Sequence, residues 1–204
     1  MKFRLENEKD FFEVENLTRE AFWDVYRPGC NEHLVLHKLR NAESFIKELD
    51  YVALKDDKII GSIVYSRMFF GTDKKMCEDI ICFGPISIHP EYQKSGIGKK
   101  LINYTMAKAK ELGFKAVLIT GDSNYYNKFG FECASKYKIL LPGMSEEDEA
   151  EFFMVKELED GYLKNMCGIY DFDSCFYIGN DELESFEKNF PSKIKREPRS
   201  TDLI

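Results

Sequence analysis

The sequence lacks the paired cysteines and clustered histidines that mark disulfide frameworks and zinc sites. No two of its six cysteines form a C-x-x-C pair, and its three histidines give no ligand spacing. We therefore predict no metal and free thiols, as in a reducing cytoplasm. The cysteines are Cys30, Cys77, Cys82, Cys133, Cys167 and Cys175.

Long apolar runs and an excess of positive charge are also absent. No stretch approaches the roughly 20 apolar residues that span a bilayer, and the first residues form no apolar signal region. The net charge of −7 argues against nucleic-acid partners, which usually require a basic face. The sequence thus predicts a soluble, cytoplasmic protein that binds neither membrane nor nucleic acid.

The composition is that of a folded chain. Of its 204 residues, 44% are hydrophobic and 14% aromatic, which is enough to form a buried core without disulfide bonds or structural metal ions. We predict a single domain over residues 1–190. A mobile tail is expected over 191–204, where polar residues and Pro198 dominate.

The first half of the chain predicts two helices and a strand hairpin. A capping pattern at Asn7 and Asp10 precedes apolar residues at helical spacing, and Arg27-Pro28-Gly29 ends this helix. The other elements expected here are a strand at 2–5, a helix at 32–44, and strands at 51–54 and 59–70.

The middle of the chain predicts a strand–helix–strand unit. Residues 79–88 are nearly all apolar from Ile80, which is typical of a central strand buried on both faces. A helix from about Gly98 to Leu112 and a strand at 116–120 follow, so the two strands should be parallel. Further on, the pattern predicts a helical turn at 125–129 and strands at 137–141 and 151–156.

A glycine-containing segment, residues 93–99, joins the central strand to the helix. Gly96 and Gly98 let a ligand approach the backbone, and the helix start offers free N–H groups suited to phosphate. A P-loop is excluded because Gln93 stands five positions before Gly98. A Rossmann fingerprint is excluded because Leu101 occupies its third glycine position. The pattern Q/R-x-x-G-x-G/A is met in full.

This last pattern resembles the coenzyme A-pyrophosphate loop of the GNAT acetyltransferases. The preceding strand end, the helix, the strand at Ala116 and the Tyr-x-x-x-Gly-Phe segment at 126–131 also resemble that family in order and spacing. The resemblance is strongest over 83–131. The sequence from Phe22 to Cys30 is similar to that of a bacterial branch of predicted acetyltransferases related to the YhbS type.

The resemblance implies a fold, a cofactor and a binding site. The fold would be a mixed α/β sheet of about six to seven strands flanked by helices, with splayed central strands, and Gly84-Pro85 marks a pairing defect where the splay is needed. Acetyl-CoA would be the cofactor, with pantetheine on the main chain of Ile86 and Ile88. The pyrophosphate would lie on Gln93, Lys94, Ser95, Gly96, Ile97, Gly98 and Lys99, and Asn124 would add a contact.

The implied reaction is N-acetylation of a small-molecule or peptide amine by direct attack on the thioester. Tyr126 matches the family's general acid, because a phenol with a pKa of about 10 is protonated at neutral pH. The base is less evident, since Cys82 stands where histone-acetylating members carry a glutamate. Glu32 and His33 are the base candidates. Other options are His37, Glu78, Asp79 and ordered water.

Other functions remain open at this point. A non-catalytic acyl-CoA-binding sensor would bind the cofactor without turnover, and a different acyl donor would use the same loop. An acetyltransferase toxin acting on aminoacyl-tRNA is opposed by the net charge of −7. The family resemblance also suggests a homodimer.

Overall fold

The computed structural model describes residues 1–202. Its α-helices are α1 (Phe11–Phe22), α2 (Glu32–Leu39), α3 (Ile97–Glu111), α4 (Ser123–Tyr126) and α5 (Asn180–Glu187). Its strands are β1 (Lys2–Leu5), β2 (Tyr51–Lys55), β3 (Lys58–Phe70), β4 (Lys75–Ile88), β5 (Ala116–Thr120), β6 (Glu132–Cys133), β7 (Ile139–Leu140), β8 (Phe153–Glu157) and β9 (Gly168–Asp171).

The strands form one mixed sheet. Its main path runs β1-β2-β3-β4-β5-β8-β6, while β9 pairs with β3 and β7 pairs with β9. On the main path β4 and β5 are parallel, and the other neighbouring pairs are antiparallel. The predicted mixed α/β class is therefore confirmed, as is the parallel pair joined by α3. The seven strands of the main path match the expected number, and β7 and β9 extend it.

The two central strands separate part-way along their length. β4 pairs with β5 only over Ile80, Ile81 and Cys82, so the carboxyl-terminal part of β4 has no strand on that side among residues 1–202. Against β3, the register shifts because Gly84 and Pro85 together oppose the single residue Val64. This is a β-bulge, which bends the strand and ends regular pairing. The predicted defect at Gly84-Pro85 thus lies where the splay begins.

Helices cover both faces of the sheet. Helices α1 and α2 bury Val14, Leu17 and Leu36 against β2 and β3. Helix α3 buries Leu101 and Ile102 on the opposite face. The side-chain hydroxyl of Ser87 on β4 donates to the Thr18 hydroxyl of α1 at 2.9 Å, which ties α1 to the splayed half of that strand.

Some predicted boundaries were wrong. Helix α2 ends at Leu39 instead of 44, because the next residue, Arg40, turns inward and pairs with the buried carboxylates of Glu6 and Glu15. The strand expected at 137–141 is only Ile139–Leu140, since Lys138 adopts a left-handed conformation with φ of 55° directly before it. The expected strands at 79–88 and 151–156 begin at Lys75 and Phe153.

The end of the chain returns to the first helix. Residues 193–196 contact α1 and the loop after it, and residues 203 and 204 of the predicted tail lie outside the described part. The division into residues 1–190 and 191–204 stays a prediction. Of the helices within 1–202, none has the length and apolar character to cross a membrane.

Candidate functional site

The splayed half of β4 presents main-chain groups to open space. The carbonyl of Ser87 faces β3, since it lies 3.1 Å from where a side chain on Gly61 would begin, and the N–H of His89 donates to Ile60 at 2.9 Å. Alternate residues of an antiparallel strand bond to opposite neighbours. The main-chain groups of Ile86 and Ile88 therefore point to the side that β5 has left, and their contact with pantetheine stays a prediction.

The start of α3 lies at the end of this open edge. The Gln93 side-chain amide donates to the Ile88 carbonyl at 3.1 Å, which fixes the loop to β4. Gly96 has a φ of 82°, and a side chain there would meet nothing within 4 Å. Within residues 1–202, the N–H groups of residues 96–99 find no acceptor, and no side chain caps the helix start.

Charge at this helix start favours an anion. The positive end of the α3 dipole points into the loop, and Lys94, Lys99 and Lys100 are exposed around it. The chain's net charge is −7, so this is a local reversal of sign. The geometry is that of a phosphate site built from backbone N–H groups.

Tyr125 closes this site from the opposite side, a role that the sequence analysis missed. Its hydroxyl lies 3.2 Å from where a side chain on Gly98 would begin, so Gly98 is needed for close approach. The ammonium group of Lys128 lies 3.8 Å from the Tyr125 ring centroid and adds positive charge nearby. Tyr125 and Tyr126 are adjacent, and nothing in the sequence distinguishes the residue that closes the phosphate site from the predicted general acid.

Tyr126 lies at the splay itself. Its ring packs against Phe83 of β4 and against Phe131, with centroids 5.9 Å apart in each case. Gly121 makes room for it, since a side chain there would begin 2.6 Å from the ring. Burial, with smaller effects from Tyr125 and Tyr26, raises the pKa of the Tyr126 phenol above its usual value. The phenol is thus protonated at neutral pH.

Cys82 lies on the paired part of β4 and is fully buried. Its sulfur lies 3.1 Å from the hydroxyl of Ser66 on β3. Burial raises the pKa of the thiol to about 12, because a thiolate would lose its hydration there. Cys82 is therefore unsuited to accept a proton from an amine, as its residue type already indicated.

Glu32 opens α2 and is the base candidate with the more suitable surroundings. Burial raises the pKa of its carboxyl group, while hydrogen bonds from main-chain N–H groups and the charge of Arg27 oppose this. One such bond, from the N–H of Asn31, is 3.0 Å long. A carboxylate with a raised pKa is a better proton acceptor near neutral pH.

Tyr26, in the loop after α1, is a neighbour of both Glu32 and Tyr126 and was not singled out in the sequence. Burial raises the pKa of its phenol, and the charges of Glu32 and Asp122 raise it further. Tyr26 in turn contributes to the raised pKa of Tyr126. The loop after α1 thus brings an aromatic hydroxyl near Tyr126, with the carboxylates of Glu32 at the start of α2 and Asp122 at the start of α4 close to it.

His33 is held in a different environment. Its side chain has no exposed surface, with Nε2 at 2.8 Å from a Glu187 oxygen and Nδ1 at 3.6 Å from the Cys30 sulfur. Burial lowers its pKa to about 4, although Glu187 opposes the effect. A fully enclosed imidazole has no path to a substrate, so the structure favours Glu32 over His33.

The remaining base options line pockets elsewhere. His37 pairs with Glu15 at 2.9 Å beside a pocket of about 270 Å³ on the outer side of α1 and α2. Glu78 and Asp79 line another pocket, of about 310 Å³, at the amino-terminal half of β4. That half of the strand lies before the splay, so these carboxylates are separated from Tyr126 by the paired segment.

Asn124 is engaged within its own turn. Its side-chain amide donates to the Asp122 carboxylate at 3.2 Å, and its main-chain N–H donates to the same oxygen at 2.9 Å. Asp122 is thereby the cap of α4. A cofactor contact from Asn124 stays a prediction. Over residues 1–202, no group of three or more His, Cys, Asp or Glu side chains is placed to hold a metal ion.

The middle of the chain matches a known family model. Residues 47–133 match the acetyltransferase (GNAT) domain. The chain is 26% identical over 179 residues to a protein named uncharacterized N-acetyltransferase YhbS from Escherichia coli K12. That alignment covers 86% of this chain and 98% of YhbS. The similarity therefore extends well beyond the part that the family model matches.

Solved structures show the same fold. The crystal structure of the GNAT family N-acetyltransferase YhbS from Escherichia coli, in complex with CoA, gives a TM-score of 0.74 at 24% identity, covering 87% of this chain and 92% of that one. A GNAT family acetyltransferase from Brucella melitensis, in complex with acetyl-CoA, gives 0.68 at 24% identity, covering 86% and 97%. The splayed mixed sheet is thus the fold of these acetyltransferases.

Proposed function

We propose that the chain, whose residues 47–133 match the acetyltransferase (GNAT) domain, transfers the acetyl group of acetyl-CoA to a primary amine. One observation carries the proposal: the open edge of β4 leads directly to a helix start whose N–H groups find no acceptor within residues 1–202. A long ligand with a peptide-like arm and a pyrophosphate end suits both parts at once.

The residues present fit coenzyme A. The N–H groups of residues 96–99 and the exposed lysines around them would hold the pyrophosphate, while Gly96 leaves space for it. The main-chain groups of Ile86 and Ile88 would take the pantetheine arm as an added strand. When bound, acetyl-CoA supplies an activated thioester carbonyl.

Tyr126 is proposed as the general acid. As the amine nitrogen bonds to the acetyl carbon, the carbon–sulfur bond breaks and the sulfur takes up a proton. The raised pKa of the Tyr126 phenol keeps that proton in place until the sulfur needs it. Its packing between Phe83 and Phe131 holds the ring at the point where β4 and β5 separate.

Glu32 is proposed as the base that receives the proton of the attacking amine. Its raised pKa makes it a better acceptor than an exposed carboxylate, and its charge also raises the pKa of Tyr26, a neighbour of Tyr126. The acetyl donor, the acceptor amine, a homodimer and a cytoplasmic location stay predictions, as does the single domain over residues 1–190.

The test is a calorimetric titration of acetyl-CoA into the wild type and the Gly96→Glu variant. The new carboxylate would face the proposed pyrophosphate and abolish micromolar binding. Gly143→Glu is a matched control, because Gly143 has a φ of 86° and equally open surroundings but lies in another loop. A panel of primary amines is then assayed for release of free thiol.

The results distinguish an acetyltransferase from an acyl-CoA sensor and from a protein that does not bind acetyl-CoA. Binding by the wild type and by Gly143→Glu, with none by Gly96→Glu, supports the cofactor site, and turnover of an amine supports the enzyme. Binding without turnover of any amine would indicate an acyl-CoA sensor. If the wild type does not bind acetyl-CoA, residues 93–99 are only a structural connection.

A further inference from the structure

The segment after α5 runs back along α1. We name residues 190–202 the strap. Lys193 pairs with Glu20 at 2.8 Å, and the carbonyl of Ile194 accepts a hydrogen bond from the Trp23 indole at 3.3 Å. The side chain of Lys195 comes within 3.0 Å of where a side chain on Gly29 would begin. The strap therefore follows α1 to its end and continues over the loop that joins α1 to α2.

Asp24 holds this loop and the strap together. Within the loop, its Oδ1 accepts from the Gly29 N–H at 2.7 Å, and its own N–H donates to the Gly29 carbonyl at 2.9 Å. Toward the strap, its Oδ2 accepts from the Arg196 N–H at 3.2 Å and its carbonyl accepts from Arg196 Nε at 2.9 Å. One residue thus closes the loop and binds the strap through different atoms.

Arg196 is itself held in place. Its guanidinium donates to Asp202 at 2.9 Å, so the strap folds onto itself around this side chain. Arg196 is partly buried, whereas Arg199 in the same segment is exposed and bonds to Asp202 through its main-chain N–H and carbonyl. Arg196 is therefore the residue through which the strap hydrogen-bonds to Asp24 of the loop.

The strap continues a connection that starts inside the protein. Glu187 at the end of α5 binds the buried guanidinium of Arg19 at 2.7 Å. The Arg19 guanidinium lies 4.4 Å from the Trp23 ring centroid, and Lys193 of the strap lies 4.9 Å from the same ring. Trp23 is thus enclosed between a cation of α1 and a cation of the strap, which fixes the start of the loop.

The loop between α1 and α2, residues 23–31, carries Tyr26 and leads into Glu32. Tyr26 is close enough to Glu32 and to Tyr126 for Glu32 to raise the pKa of Tyr26 and for Tyr26 to raise that of Tyr126, so this loop would border the entry of the amine if the proposed function holds. The loop has no strand or helix of its own over 23–31 and is anchored by the contacts of Asp24 and Trp23. Its position therefore depends on the strap.

We infer that Arg196 is a positioning residue for the acceptor side: acting through Asp24, it holds residues 23–31 so that Tyr26 and Glu32 face Tyr126. This inference rests on the proposed function for its kinetic consequence only. The docking of the strap on the loop is independent of any activity. The sequence predicted a mobile tail over 191–204, and these contacts favour a docked segment up to residue 202 instead.

The test compares Arg196→Ala with Arg199→Ala, which removes the same charge from the same segment. Trp23 is the only tryptophan of the chain, so its emission reports on the strap without interference. Arg196→Ala should shift this emission to longer wavelength and speed hydrogen exchange in residues 23–31 about tenfold, whereas Arg199→Ala should match the wild type. Acetyl-CoA affinity should stay within twofold in both variants, because the β4 edge and the α3 start are untouched.

The kinetic test measures KM and kcat separately, with an amine that the wild type acetylates. Arg196→Ala should raise the KM for the amine at least fivefold and leave the KM for acetyl-CoA unchanged. Equal emission and exchange in both variants would overturn the inference, as would a loosened loop with unchanged amine kinetics. If the wild type acetylates no amine, the proposed function fails, and the emission and exchange results alone decide whether Arg196 holds the loop.

Discussion

The two sides of the candidate site are built in different ways. The donor side, meaning the open edge of β4 and the start of α3, is made of main-chain groups from consecutive elements between residues 86 and 99. The acceptor side, meaning residues 23–32 with the strap, depends on side chains whose contacts join positions 168 to 173 apart. One is local and tolerates changes of side chain, whereas the other relies on particular ion pairs and hydrogen bonds.

This difference suggests how each side can vary. A site made of N–H groups needs only glycines and a helix start, so its chemistry is fixed by the backbone. A site made of distant side chains changes whenever one partner is replaced. We expect cofactor binding and amine selection to respond to separate sets of substitutions, and the following predictions test this separation.

The largest effect is expected from Tyr126→Phe, at the junction of the two sides. Loss of the phenol proton should lower kcat by a factor on the order of 10² or more, the usual cost of removing a general acid. Acetyl-CoA affinity, measured by calorimetry, should change less than threefold because the ring packing is kept. A variant with near wild-type kcat would assign Tyr126 to packing alone.

Glu187→Gln should destabilise the acceptor side next most strongly. The substitution removes the charge that faces Arg19 and His33 in the interior, and breaking such a pair costs about 3 kcal/mol of unfolding free energy. Denaturant unfolding measures it, with Glu184→Gln on the exposed face of α5 as the matched control. Equal stability of the two variants would show that Glu187 is not needed to anchor α5.

Glu32→Gln should lower kcat/KM for the amine about tenfold at neutral pH, a moderate cost for a base that water can partly replace. Burial raises the pKa of Glu32, and the base is active only when charged. The wild-type rate should therefore rise with pH as Glu32 loses its proton, and the variant should lack that rise. Glu43→Gln, at an exposed position, is the control. If Glu32→Gln keeps the wild-type pH profile, then water and not Glu32 accepts the proton of the amine.

The smallest effect is expected from Gly98→Ala on the donor side. The new methyl group would lie 3.2 Å from the Tyr125 hydroxyl and 3.7 Å from the Ile88 side chain, which is a tight fit. We expect acetyl-CoA affinity to fall about threefold. Adding Tyr125→Phe should restore it, because the hydroxyl that meets the methyl group is removed. If the acetyl-CoA affinity stays low in the double variant, the new methyl group clashes with the ligand and not with the Tyr125 hydroxyl.

The donor side could be predicted because its signals are local. Gln93, Gly96 and Gly98 specify a loop and a helix start by their spacing alone. The apolar run from Ile80 specifies a buried strand, and Gly84-Pro85 marks the end of its pairing. The structure places these features together in the expected order. Each rests on backbone geometry, which short stretches of sequence largely determine.

The acceptor side could not be predicted for the opposite reason. Nothing near Arg196 indicates that it binds Asp24, and nothing near Glu187 indicates that it faces Arg19. Tyr26 is an aromatic residue in a loop, without a periodic pattern. Helix α2 was predicted too long because nothing near Arg40 in the sequence indicates that it pairs with two buried carboxylates. Strands such as β7, with two residues, are too short to show alternation.

The pairing of Arg19 with Glu187 also sets the order in which the protein can be completed during translation. The two residues are 168 positions apart, and at about 5–20 residues per second roughly 10–30 seconds separate their synthesis. Until α5 leaves the ribosome, Arg19 has no carboxylate partner and Trp23 has no strap beside it. The coenzyme-binding half can form on the nascent chain, whereas the amine-binding half is completed only after α5 and the strap have been synthesised.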